Sequence, residues 1–257
     1  MITYFQQELI QIVASVCVSS TPVLNYYVTF FLVKKPPGSG GFFHPRKRLV
    51  FPNRIRYNCH EIKSEGAIPM KQLQQQIDFL LARQDRVIVA LDGFCTAGKT
   101  TLAANLAEHY DCCLIHMDDF FLRPEQRTPQ RLAEPGGNVD YERFLQEVLI
   151  PLTEGRPFSY RPFDCSTQTL SKPVTADRKK LTVIEGTYSH HPYFGDYADL
   201  KVFLTVSPED QHQRILQRPA FLHRRFFEEW IPMEIRYFQQ FVIPEKADMV
   251  INPSISL

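Results

Sequence analysis

The chain has 257 residues, 44% of them hydrophobic and 22% charged, with a formal net charge of +1. That is enough apolar material for one ordinary domain plus an extension, or for two small domains. A near-neutral balance gives no reason to expect a nucleic-acid partner.

The charge is unevenly spread. Residues 1–69 hold eight Lys/Arg against three Asp/Glu, and residues 70–257 hold 21 against 25. Residues 9–33 carry no charge, and a stretch of that length can span a bilayer. Lys34, Lys35, Arg46, Lys47, Arg48, Arg54 and Arg56 follow it, a flank that would keep the next domain in the cytoplasm. Gln11, Pro22 and Asn25 dilute the apolar run, and no small-residue cleavage site marks a signal peptide. Three readings compete for 1–69: a membrane anchor, a disordered or loosely packed extension, or sequence upstream of the true start. Pro36-Pro37 and Gly38-Ser39-Gly40-Gly41 read as a linker. The expected division is an extension over 1–69 and one folded domain over 70–257.

Cys17, Cys59, Cys95, Cys112, Cys113 and Cys165 form no CxxC pair and no metal-type spacing. They read as free thiols of a reducing compartment, so a cytoplasmic location is expected.

From residue 70 the elements follow in order. Leu73, Ile77 and Leu80 recur at helical spacing and predict a helix over 71–83. Residues 86–92 are a β-branched run of buried-strand type, and 93–100 a glycine-bounded loop. A helix runs to about 109, and a strand over 112–117 ends in Asp118-Asp119. Residues 123–139 read as loop, 141–152 as helix and 154–179 as irregular. Residues 181–184 and 202–206 are short buried strands. A helix with proline in its first turn covers 208–218. Another covers 226–241, with an interruption near Pro232, and a last strand covers 249–251. Strands alternating with helices predict an α/β fold, a parallel sheet with helices on both faces. Its ligands would bind at the C-terminal strand ends.

The strongest motif is Gly93-Phe94-Cys95-Thr96-Ala97-Gly98-Lys99-Thr100, which fits G-x-x-x-x-G-K-[ST] at every fixed position. Its backbone N–H groups would cradle the phosphates of ATP, together with Thr101 in the first turn of the helix. Lys99 offers a charge to the transferring phosphate, and Thr100 a hydroxyl to Mg²⁺. Cys95 has two readings. It is a small residue that fits a tight loop, or a thiol beside a lysine at a helix N-terminus, which would favour thiolate. Asp118 or Asp119 suits a base that deprotonates an alcohol, and a solvated turn is the alternative. Glu185, at the end of a neighbouring strand, could order the Mg²⁺ shell. Asp92 is expected to order the turn before the cradle. Two of Arg214, Arg218, Arg224 and Arg225 are expected to serve phosphoryl transfer. His190-His191 reads as loop rather than metal site.

The motifs GFCTAGKTTLA, HMDDFF, GGNVDYERF and VIEGTY, with the arginine-rich 214–225 stretch, resemble the uridine kinase group of P-loop nucleoside kinases. DDFF also resembles the nicotinamide riboside kinases. The resemblance covers about residues 85–252. It implies a P-loop NTPase fold of nucleoside-kinase type and Mg²⁺-dependent transfer of the γ-phosphate of ATP to the hydroxyl of a nucleoside or similar small molecule. It implies Asp118 as general base, Asp140 as a contact to sugar or base, Glu185 in the Mg²⁺ network, and Arg214 and Arg218 in a mobile lid. One departure stands out. Where the family follows an aromatic-Asp pair with a histidine that reads the pyrimidine, Phe163-Asp164 is followed by Cys165-Ser166-Thr167-Gln168, and Gln168 takes that place. Gln168, Asp140 and Tyr160 are therefore expected to line one acceptor pocket. Kinases of nicotinamide riboside or pantothenate, and a regulatory P-loop nucleotide-binding protein, are the alternative expectations.

Overall fold

Seven buried residues in a row, Val87–Gly93, form the strand β1 at the centre of the sheet. The computed structural model describes residues 68–252. The readings made for residues 1–67, including the candidate span at 9–33, lie outside the described residues. Among the described residues no helix is long and apolar enough to cross a membrane.

α1 (Ile68–Leu81) starts three residues before its expected position and buries Leu73, Ile77 and Leu80. α2 (Lys99–His109) and β2 (Cys112–His116) follow β1. β3 (Phe158–Tyr160), β4 (Phe163–Asp164), β5 (Thr169–Leu170) and β6 (Val174–Ala176) stand apart from the main sheet. β7 (Leu181–Glu185), β8 (Leu200–Leu204) and β9 (Met249–Ile251) complete it, in the order β2-β7-β1-β8-β9. Every pairing in it is parallel, as expected.

Alternate residues of each strand feed opposite faces. Val87, Val89 and Leu91 pack with Leu102 and Leu106 of α2 and with α1. Ile88 and Ala90 pack on the other face with Phe144, Val148, Tyr237 and Phe238. Both faces are thus covered, which is why the strands read as continuous apolar runs.

Three segments depart from expectation. Residues 154–179 hold two small antiparallel pairs, β3 with β6 and β4 with β5. Residues 123–139 hold a short helix, α3 (Pro129–Ala133). The break expected near Pro232 is a widened turn within continuous helix. α7 (Ala220–Arg225) passes through a π-turn at Phe226–Trp230 into α8 (Ile231–Phe241), and the Ile231 N–H bonds Phe226 O. A second helix repeats the arrangement. Tyr141–Phe144 and Ile150–Glu154, here α4 and α5, are joined by a π-turn at Leu145–Leu149, with Pro151 in the place of Pro232. A proline ring collides with the carbonyl four residues back in a regular helix. In both helices the wider turn stands at that point, which is how the helix continues.

Candidate active site

The phosphate loop is shaped by Gly93, at φ +143°, whose Cβ position would lie 2.1 Å from Leu204 O. Only glycine fits there. Gly98, also left-handed, opens α2 at Lys99, so the N-terminus of an 11-residue helix faces the loop. Lys99 is buried, and its Nζ donates to Gly93 O at 2.9 Å and Phe94 O at 2.8 Å. Phe94 anchors the loop by edge-on contacts with Phe203 and Phe238. Ala97 is fully buried, and Thr96 holds a left-handed backbone at φ 59°. Thr100 and Thr101 are exposed.

Asp92, fully buried, ties the loop to its surroundings as expected. It accepts from the N–H groups of Gly93, Tyr188 and His190 and from the Tyr237 hydroxyl. α6 (Pro208–Leu216) braces the loop from the carbonyl side: Arg214 Nη1 donates to Thr96 O at 2.9 Å and Gln211 Nε2 to Cys95 O at 3.1 Å. Arg214 therefore meets the loop's backbone. Arg218 is exposed beyond the end of α6, and Arg224 and Arg225 pair with Glu228 and Glu229.

Burial and the nearby Glu234 carboxylate push the Cys95 thiol far up, outweighing Lys99. The thiolate reading of Cys95 is thereby corrected, and the small loop residue remains. Cys95, Cys112, Cys113 and Cys165 are free thiols.

The second group stands at the ends of β2 and β7. Thr100 Oγ1 lies 3.4 Å from each carboxylate oxygen of Glu185. A hydroxyl and a carboxylate facing each other form an all-oxygen donor pair suited to Mg²⁺. Asp118 and Asp119 lie on a tight turn, Met117–Phe120. Asp118 is open to solvent yet walled by protein: desolvation raises its carboxyl pKa, Lys99 and His116 pull it down, and Glu185 and Asp119 push it up. Those influences bring Lys99, Glu185 and Asp118 into one field. Asp119 is engaged elsewhere, accepting from the Tyr160 hydroxyl at 3.2 Å.

Sequence reasoning missed three contributors here. His116 Nδ1 stands 2.6 Å from Glu185 Oε1. Arg143, nearly buried beneath the Phe120 ring, donates to Asp119 O at 2.8 Å and fixes the turn. Glu234 reaches the phosphate loop from α8.

On the acceptor side, Asp140 is buried and caps α4 through Arg143 N, while its other oxygen accepts from Gln126 Nε2 at 2.9 Å. Gln168, at φ 58°, closes the β4–β5 turn by donating to Cys165 O at 2.6 Å. Cys165 shares the electrostatic neighbourhood of Asp118 and Arg225. His190 and His191 lie in the loop after β7 but are buried. His190 bonds Ala90 O, and His191 stacks on Tyr141 and Tyr237.

No family model matches the chain. It is 32% identical over 135 residues to the human (Homo sapiens) nicotinamide riboside kinase 2, covering 49% of this chain and 54% of that protein. It is 29% identical over 139 residues to the Mus musculus protein of the same name, covering 50% of this chain and 66% of that one. The chain thus spans between about half and two thirds of the length of the curated relatives it matches. Among solved structures, a possible uridine kinase from Bacillus stearothermophilus aligns with a TM-score of 0.53 at 20% identity, over 70% of this chain and 99% of that one. At that identity the likeness establishes the P-loop kinase fold.

Proposed function

We propose that the chain is a uridine kinase-like P-loop kinase, an ATP-dependent kinase of a nucleoside or similar small alcohol. One observation carries the reading. Lys99, Thr100, Glu185 and Asp118 come from three separate segments and meet at one edge of the sheet. Phosphoryl transfer needs these groups together: a cation at the phosphates, oxygen donors and a carboxylate for the attacking hydroxyl.

The roles follow from position. The backbone of residues 93–100 and the N-terminus of α2 bind the phosphates of ATP, with Thr101 in the first turn. Lys99, held by two loop carbonyls, presents its ammonium group there. Thr100 and Glu185 would hold Mg²⁺, which when bound neutralises phosphate charge. Asp118 takes the proton of the acceptor hydroxyl as that oxygen bonds the γ-phosphorus. The bond from the γ-phosphorus to the bridging oxygen breaks, and ADP leaves. The raised pKa of Asp118 makes it a stronger base than an ordinary carboxylate. Arg214 keeps the loop in shape, and Arg218 is the arginine free to move with a lid. Asp140, Tyr160 and Gln168 border the acceptor. With its N–H group bonded to Cys165 O, Gln168 would read the ring through its carbonyl oxygen. We further assign the kinase to residues 70–257, with 1–69 an extension, and the enzyme to the cytoplasm, where its free thiols persist.

A second acceptor, nicotinamide riboside, is favoured by the names of the relatives. The test is ADP release by purified protein with uridine, cytidine, nicotinamide riboside, pantothenate or no acceptor. One acceptor should stimulate release several-fold and appear as a monophosphate by mass spectrometry. ADP release that no acceptor alters would instead support a regulatory nucleotide-binding protein.

A further inference from the structure

The buried face of α8 carries a carboxylate among aromatic rings. Glu234, Tyr237 and Phe238 are the buried residues of this helix, three and four positions apart. A glutamate at such a position needs partners. Its Oε2 accepts from the Cys95 N–H at 3.0 Å, and its Oε1 lies 3.4 Å from Thr187 Oγ1. Cys95 is the third residue of the phosphate loop. Glu234 therefore occupies a donor of a loop whose donors serve phosphate.

The groups facing it come from every neighbouring segment. They are the Cys95 thiol of the loop, Lys99 of α2, Asp92 of β1, and Thr187 and Tyr188 after β7. Lys99 is the cation among them.

We propose that Glu234 is the resident counter-anion of the phosphate loop and takes up a proton when nucleotide phosphate claims Lys99. The inference rests on the kinase reading. Phosphate brings negative charge to the lysine that stabilises the Glu234 anion, and in a buried site two anions cannot share one cation cheaply. Protonation removes the repulsion and turns an acceptor oxygen into a donor. The carboxyl is already poised for this: burial pushes it up to about 7, with Lys99 pulling the other way. At pH 8 it is mostly ionised, so uptake on binding approaches one proton.

The test is titration calorimetry of ATP at pH 8 in buffers of different ionisation enthalpy. The slope of observed enthalpy against buffer enthalpy counts protons. Wild type should take up about one proton more than Glu234→Gln, which keeps the shape and an oxygen for the Cys95 N–H. Subtracting the variant cancels the ionisation of the phosphates themselves. Wild-type ATP affinity should also weaken by up to about tenfold per unit between pH 8 and 9, less so in the variant. Equal slopes in two ATP-binding proteins overturn the proposal and leave the kinase reading intact. Should Glu234→Gln fail to fold, a wild-type affinity flat from pH 7 to 9 overturns it equally. A wild type that does not bind ATP overturns both.

Discussion

His116 and Glu185 are direct register partners at the ends of the parallel strands β2 and β7, and their side chains meet at 2.6 Å. The imidazole, with its pKa raised mainly by that hydrogen bond, holds one carboxylate oxygen. Both oxygens remain within 3.4 Å of Thr100 Oγ1.

A ring that orients a metal-binding carboxylate affects metal affinity more than chemistry. His116→Ala should raise the Mg²⁺ concentration needed for half-maximal rate by roughly 10- to 100-fold. Saturating Mg²⁺ should recover most of the rate. Rate measured against Mg²⁺ checks this, and an unchanged Mg²⁺ requirement would remove His116 from the site.

Lys99→Ala should lower turnover by about 10²-fold or more, from loss of one charge at the transferring group. The fold should persist, because Gly93 O keeps the Thr187 hydroxyl at 3.0 Å as a donor. Turnover and thermal melting of the purified variant decide it. Near-normal turnover would end the assignment of the phosphate loop.

The two aspartates should separate. Asp118→Asn should cripple the chemical step with ATP affinity nearly intact, and Asp119→Asn should be milder. Stability should move the other way. The folded Asp118 carboxyl has a raised pKa, so its ionised form is disfavoured on folding. The folded state then holds the proton more tightly, and stability falls as pH rises from the ordinary carboxylate value through the raised one. Asp118→Asn should therefore melt higher than wild type near pH 7, and the gain should vanish below about pH 3.5. A lower melting temperature at pH 7 would overturn the raised pKa, and equal or greater kinetic damage at Asp119 would refute the base assignment.

Thr96 combines a β-branched side chain, a left-handed backbone and a buried hydroxyl with no partner among the described residues. Such a residue costs about 1–3 kcal/mol in strain. Thr96→Gly should stabilise the chain by about 1 kcal/mol net of the extra freedom of unfolded glycine. Urea unfolding measures it, and a loss of stability would show that the threonine contributes packing instead.

The parts legible in the sequence are the local ones. β1 announces itself by a β-branched run, and the phosphate loop by glycines at fixed spacing before a lysine. Glu185 and the Asp118-Asp119 pair are legible because each follows a buried strand directly, while the choice of Asp118 within the pair comes from the resemblance. The resemblance places Arg214 and Arg218 alike in a lid, and nothing local separates the two. The contact of Arg214 with Thr96 spans 118 positions and leaves no local trace. Register hides His116 in the same way. Glu234 looks like any solvated acid beside Glu228 and Glu229 until Tyr237 and Phe238 place it on the inner face. The strands at 158–176 have only two or three residues each, too few for an alternating pattern to emerge.

The π-turn at Phe226–Trp230 sets a phase as well as relieving a proline. Each residue of a helix turns the chain by about 100° about its axis. α8 is docked by Glu234 on Cys95 and by Tyr237 on Asp92. The compass bearing of Arg224 and Arg225 is thus counted outward from those two anchors, through one wide turn. A chain lacking Phe227 closes the wide turn to an ordinary one and nearly keeps the bearing of both arginines, but sets the Pro232 ring against the carbonyl four residues back. The extra residue of this segment therefore accommodates the proline while leaving the arginines in step with the two anchors.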